Sequence, residues 1–280
     1  MTELRRRMIE DMQLHGLAKS TQRVYVDAIR ELAKHFNRSP DQITEGEIRK
    51  FFHYLTQSRR LAASTVSVRL FAIRFFYQKT LNRQWPVLKL VRGRRIKKLP
   101  VVLSREEVWH VLGLVRKPEA RMCLTMMYCC GLRASEATHL RVTDIDSQRM
   151  VVCVRNGKGA KDRYVPLPQR ALELLRTYWL KHRPQNWLFP SKTGIRPIRR
   201  DSAGRCLKTA AAASDVTKNV SCHTLRHSYA THLLEDGVDL RVIQSLLGHT
   251  SPRTTFAYMH LTQPTMSQVH AAVDSLMAKL

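Results

Sequence analysis

The sequence predicts a mainly α protein with a small antiparallel β-sheet, in two domains: an all-helical domain, then a mixed α/β domain. Three observations carry that expectation. Residues 1–92 hold amphipathic segments with helix-start signals and no alternating stretch. Residues 93–103, Gly-Arg-Arg-Ile-Lys-Lys-Leu-Pro-Val-Val-Leu, are basic, contain Gly93 and Pro100 and lack a helical period, as an interdomain linker would. Within residues 104–280, two short β-rich stretches flank a glycine-rich turn, and the pattern around them is helical again.

The elements follow in order. Ser20-Thr21 is expected to cap a helix with Tyr25, Ala28, Leu32 and Phe36 on one face. Thr44 and Glu47 have the spacing of a capping box ahead of Ile48, Phe51, Phe52 and Leu55. Ser64 is expected to open a helix with Val66, Leu70, Ile73 and Tyr77 inward and Arg69, Arg74 and Lys79 on the other face, where a DNA groove could be met. Ser104 and Glu107 repeat the capping box at the start of the second domain. Arg121–Cys130 is apolar enough for a buried helix that stops at Gly131-Leu132-Arg133, and Ser135 starts another carrying Glu136, Ala137 and Leu140. Residues 150–155 and 163–167 read as strands joined by Asn156-Gly-Lys158-Gly-Ala-Lys161-Asp162, with Pro166 marking a sheet edge because it lacks an N–H for a further ladder. Helices are expected at 170–182, at 223–236 before Gly237 and at 239–247 before Gly248. Ser251-Pro252 would start a short helix bearing Tyr258, and Val269, Val273, Leu276, Met277 and Leu280 give a helical tail.

Composition narrows the function. Of 280 residues 44% are hydrophobic, enough for real cores and too many for a disordered chain. The net charge is +26, from 48 Lys and Arg against 22 Asp and Glu. Residues 1–103 carry 22 basic and 8 acidic side chains, a net +14, and the remainder carries +12. Such an excess repels itself in a compact fold, so a polyanionic partner is implied, touched by both domains. The linker arginines and lysines, Arg94, Arg95, Lys97 and Lys98, are expected against phosphate. Six cysteines without a C-x-x-C pair read as buried thiols of a reducing cytoplasm, and no apolar run suits a signal core or a membrane span.

The chemistry concentrates towards the C-terminus. His223 and Arg226 stand at i and i+3, on one face of a helix whose buried side has Leu225, Tyr229 and Leu233. Arginine binds phosphate bidentately, and histidine gives or takes a proton near neutrality. His227 lies four residues after His223, but no carboxylate completes a metal set, so no metal site is expected. Arg133 follows a glycine turn three residues before Glu136, which is placed to orient it. Lys158 sits at the tip of the glycine-rich turn with Lys161 beside it, and His249 follows the Gly248 helix stop. Each of these alone has an ordinary structural explanation. Together they form a phosphate site with a tyrosine, Tyr258, downstream.

Arg133, Lys158, His223, Arg226, His249 and Tyr258, in their contexts Gly-Leu-Arg-x-Ser-Glu, Gly-Lys-Gly-x-Lys-x-Arg, His-x-Leu-Arg-His, Leu-Gly-His and Thr-Thr-x-x-Tyr, resemble the tyrosine recombinase (phage integrase) family. The resemblance covers essentially the whole chain, nearest the compact Xer-like and integrase-like members. No long insertion lies between Lys158 and His223, which speaks against the integron-integrase subgroup. It implies a helical core-binding domain over 1–92, the basic linker over 93–103 and a catalytic domain over 104–280 with a C-terminal helix docking in trans. Tyr258 would attack the scissile phosphate and form a 3′-phosphotyrosyl bond, with His223 as proton acceptor, Arg133 and Arg226 clamping the phosphate, His249 adding a hydrogen bond and Lys158 protonating the leaving 5′-oxygen. No cofactor is implied. The implied partners are double-stranded DNA with an inverted-repeat core site and a homo-tetramer on synapsed DNA. A partner recombinase or accessory protein is left open, as is the choice among integration, excision, mobile-element movement and chromosome-dimer resolution. The implied location is the bacterial cytoplasm, at the nucleoid. The competing expectations are a type IB topoisomerase-like enzyme and a catalytically silent DNA-binding regulator.

Overall fold

The computed structural model describes residues 2–90, 100–155 and 162–248. The chain divides into two compact units, Met1–Lys98 and Leu99–Leu280. Each has its own apolar core.

The described part of the first unit is helical: α1 (Glu3–Leu14), α2 (Lys19–Phe36), α3 (Glu45–His53), α4 (Ala63–Phe75) and α5 (Val87–Leu90). Short wider turns extend α3 over Tyr54–Ser58 and α4 over Phe76–Thr80. Packing of α2 along α4 dominates, with Leu32, Phe51, Leu55, Ile73 and Tyr77 fully buried in the core. The Thr44–Glu47 capping box forms as expected, the Thr44 side chain taking the Glu47 N–H and the Glu47 carboxylate the Thr44 N–H.

Two helix starts of the first unit differ from expectation. Ser20 and Thr21 lie inside the first turn of α2, whose N-cap is Ala18 without a side-chain cap. The cause is the end of α1: Gly16 is left-handed (φ 67°), and Leu17 N–H reaches Met12 O while Gly16 N–H reaches Gln13 O. This Schellman turn aims the chain into α2 after only two residues. Ser64 likewise falls inside α4, which starts after Ala62, because Arg60 in the left-handed region has already turned the chain. The expected outward basic face of α4 is also corrected. Arg74 is half-buried and donates to Leu88 O, Arg69 pairs with Glu31 at 3.0 Å, and Lys79 is the exposed member.

The second unit begins, past the undescribed part of the linker, with α6 (Arg105–Gly113), opened by the expected Ser104–Glu107 capping box. Next come α7 (Pro118–Cys129) and the short α8 (Ala134–Thr138), where the expectation is corrected: Arg133, not Ser135, is the N-cap, and the helix ends before Leu140. The sheet has the order β1-β2-β3: β1 (Ile145–Asp146), β2 (Val151–Val154) and β3 (Arg163–Pro166), antiparallel throughout. Val152 pairs with Val165 and Val154 with Arg163, and Pro166 does stand on an edge strand. Helices α9 (Gln169–His182), α10 (Arg200–Ala212), α11 (Cys222–Glu235) and α12 (Leu240–Leu247) complete it. The buried axis is α7, every side chain from Met122 to Tyr128 being inside, and α9, α10 and α11 pack around it. All six cysteines are free thiols. Among the described residues no helix is long and apolar enough to cross a membrane.

Candidate active site

The site is built where α7 stops. Gly131 makes the turn with φ 57°, and a Cβ there would lie 2.4 Å from the Tyr229 ring of α11. Only glycine permits so close an approach. The turn brings Arg133 to the N-cap of α8, where its backbone N–H donates to Glu136 Oε2 at 2.9 Å and its Nη1 to Glu136 Oε1 at 2.7 Å. The expected orienting role of Glu136 is thus visible in its contacts.

Arg226 comes from α11 and is buried, 4% exposed. Its Nη1 donates to Gly131 O at 2.7 Å and its Nη2 to Leu247 O at 2.5 Å. Arg133 Nη2 donates to Gly248 O at 2.9 Å. A third arginine, Arg163 at the start of β3, donates from Nε to Leu246 O at 2.9 Å. Three guanidiniums therefore occupy the last carbonyls of α12. Those carbonyls have no partner within the helix and form the negative end of its dipole, so cations are stabilised there. Gly248 is left-handed (φ 59°) and ends α12 as expected.

The same three arginines share one carboxylate. Arg163 grips Glu136 bidentately, Nη1 to Oε1 at 3.0 Å and Nη2 to Oε2 at 2.8 Å, and Arg226 Nη1 stands 3.8 Å from Oε2. Burial alone would raise the Glu136 carboxyl. Hydrogen bonds from Arg163 and the Arg133 backbone, the Arg163 charge and the Arg133 guanidinium overcome this and hold it at about 2. Three guanidiniums against one carboxylate leave the cluster positive. That suits a dianionic transition state, stabilised by donors fixed in place before the reaction.

His223 lies in the first turn of α11, after the Ser221 N-cap, where helix N–H groups favour an anion. Here the expectation needs correction. His223 is exposed while Arg226 points into the protein, so the pair does not project together. One turn on, the His227 ring is 6.4 Å from that of His223. Burial first, then the charges of His223 and Arg226, push the His227 ring down to about 4, so it is neutral near pH 7. Among the described residues no three His, Cys, Asp or Glu side chains are grouped as a metal site would require.

The structure thus brings together Arg133, Glu136 and Arg226 of the expected set. Lys158, Lys161, His249 and Tyr258, and the linker residues Arg94, Arg95, Lys97 and Lys98, lie outside the described residues. Sequence reasoning quoted Arg163 only as the last residue of Gly-Lys-Gly-x-Lys-x-Arg and gave it no role. A signal existed, because Arg163 shares a strand face with the fully buried Val165, two residues on. A cation on the inward face of a strand requires an anionic or carbonyl partner.

Comparison with known proteins gives the context of this geometry. Residues 103–264 match the phage integrase family, and residues 4–87 match the phage integrase N-terminal SAM-like domain. A putative integrase/recombinase, y4qK, of Sinorhizobium fredii is 45% identical over 262 residues, covering 93% of this chain and 85% of the relative. The tyrosine recombinase XerD of Halalkalibacterium halodurans is 34% identical over 254 residues, covering 84% of this chain and 83% of its own. Among solved structures, a lambda integrase dimer bound to a COC′ core site shares the fold, with TM-score 0.73 at 17% identity, covering 92% of this chain and 94% of that one. Neither the topoisomerase nor the silent-regulator alternative is favoured by these likenesses. With an arginine pair held over one glutamate and family matches spanning both units, the chain belongs to the phage integrase family of tyrosine recombinases and is a site-specific recombinase.

Proposed function

We propose that this recombinase cleaves and rejoins duplex DNA through a 3′-phosphotyrosyl intermediate on Tyr258, with Arg133 and Arg226 holding the non-bridging oxygens of the scissile phosphate. The observation that carries this reading is the convergence of both arginines on the last carbonyls of α12, directly before His249. A tyrosine hydroxyl ordinarily titrates near about 10, so it must lose its proton during attack. His223 accepts that proton, His249 adds a hydrogen bond to the phosphate and Lys158 protonates the departing 5′-oxygen. The covalent bond conserves the phosphodiester energy, so a 5′-hydroxyl of a second duplex can attack it without ATP.

The basic charge of both units supports a DNA partner contacted by each. Under the same proposal residues 1–92 are the core-binding domain, 93–103 the linker and 104–280 the catalytic domain. Its C-terminal helix docks in trans within a homo-tetramer on two inverted-repeat sites, in the cytoplasm. The lambda integrase structure, a dimer on a core site, supports by analogy of fold only the placing of two protomers on one site.

The test is a nicked suicide duplex built on an inverted repeat, to be sought in the DNA flanking the gene. Wild-type protein is expected to form a covalent adduct that survives denaturation, and Tyr258→Phe to form none. An adduct of equal yield in Tyr258→Phe contradicts the assignment of the nucleophile.

A further inference from the structure

We propose that Arg163 is a positioning residue for DNA cleavage: it fastens Glu136 to the end of α12 and thereby sets where Arg133 and Arg226 stand. This rests on the reading of those two arginines as the phosphate clamp.

Of the three arginines in the cluster, Arg163 alone spends both terminal nitrogens on the carboxylate. Its remaining donor, Nε, goes to Leu246 O. A guanidinium has five N–H bonds in a rigid fork, and here that fork joins two elements. One is α8, through Glu136; the other is the last turn of α12. The base of the side chain is fixed by β3, where Arg163 pairs with the buried Val154. Its side chain is only 14% exposed, less than the 21% of Arg133. Gly248 lies directly against it: a Cβ on Gly248 would come within 3.3 Å of Arg163 Cδ and Nε. The helix stop is therefore shaped around the Arg163 side chain as well as by its own left-handed backbone.

The three arginines divide the end of α12 in order. Arg163 takes Leu246 O, Arg226 takes Leu247 O and Arg133 takes Gly248 O. Glu136 is the counter-charge they share. Without Arg163, Glu136 keeps its contact with Arg133 and, among the described residues, has Arg226 at 3.8 Å as the nearest other cation. A buried carboxylate that loses its bidentate partner attracts the remaining charges more strongly. Arg226 is then drawn from Leu247 O towards Glu136, and the clamp changes shape. A misplacement of about 1 Å at a reacting phosphate costs roughly 10²-fold in rate.

The experiment compares wild type, Arg163→Gln, Arg163→Lys, Glu136→Gln and the Arg163→Gln/Glu136→Gln pair on the nicked duplex that the wild type cleaves. Single-turnover adduct formation is measured with the DNA saturated, and DNA affinity is titrated separately against salt. Arg163→Gln is expected to slow adduct formation by about 10²-fold, with affinity and its salt slope at the wild-type values. Arg163→Lys keeps the charge and loses the fork, so it is expected to slow the step as well; it decides the matter if Arg163→Gln fails to fold. The double variant is expected to be no slower than the worse single, because both changes break one frame. Three results would overturn the proposal. One is an Arg163→Lys rate equal to wild type. The second is a loss confined to DNA affinity, with a salt slope lowered by about one as for a phosphate contact. The third is a double variant slowed by the product of the singles. Tyr258→Phe serves as a separate control: an adduct there sinks the nucleophile assignment and leaves the Arg163 comparison to be judged by the same rates.

Discussion

Arg69 of α4 and the arginines around Glu136 carry the same charge and are held in different ways. In the first unit Arg69 shares one half-buried ion pair with Glu31, and Lys79 stands in solvent. In the second unit Arg133, Arg163 and Arg226 all reach one carboxylate, and each takes a main-chain carbonyl of α12. Net charge does not distinguish the regions, at +14 and +12 for the two parts of the sequence. Exposed cations serve long-range attraction to a polyanion, screened by salt and tolerant of position. Cations fixed by several partners are costly to bury and are useful only where their position matters.

Breaking the cluster should have the largest effect. Glu136→Gln leaves three arginines without their carboxylate, and loss of one partner from a buried ion network costs on the order of 3–5 kcal/mol. The effect depends on pH. Because the folded protein holds Glu136 at about 2 against an ordinary 4.5, its contribution is full above pH 4.5 and is lost as pH falls towards 2. Denaturant midpoints of wild type and Glu136→Gln should therefore differ at neutral pH and converge in acid. A constant gap over that range would place the effect elsewhere. Gly131→Ala comes next, at roughly 2–3 kcal/mol, since its Cβ would strike the Tyr229 ring from a left-handed backbone. Thermal unfolding checks it, and an unchanged midpoint would show that the turn is free to relax. The smallest effect belongs to the first unit. A double-mutant cycle on Arg69 and Glu31 should give a coupling of about 0.2–1 kcal/mol, as for a partly solvated pair. A coupling as large as that of the cluster would erase the contrast between the regions.

What the sequence made legible follows the same division between local and distant causes. The capping boxes at Thr44 and Ser104 and the Gly248 stop involve groups a few residues apart, and all three form. The starts at Ala18 and Ala62 are set by the turns before them, so Ser20 and Ser64 misled. Helix α10 is rich in alanine and has no side-chain cap, and the two-residue β1 is too short to show alternation. In the site, Arg133 with Glu136 was readable because the two are three residues apart. Arg163 was not, since its partners are Glu136 and Leu246, 27 and 83 residues away. The opposite exposure of His223 and Arg226 is also nonlocal, because Arg226 is drawn inward by Gly131 O and Leu247 O.

The most direct test of the contrast is the single-turnover rate of adduct formation by Arg226→Ala, with the nicked duplex saturated by protein. Removing one preorganised donor is expected to slow the step by roughly 10²–10³-fold, while Arg69→Ala on the same DNA stays near the wild-type rate. An Arg226→Ala protein that is folded, bound and cleaving as fast as wild type would contradict the account.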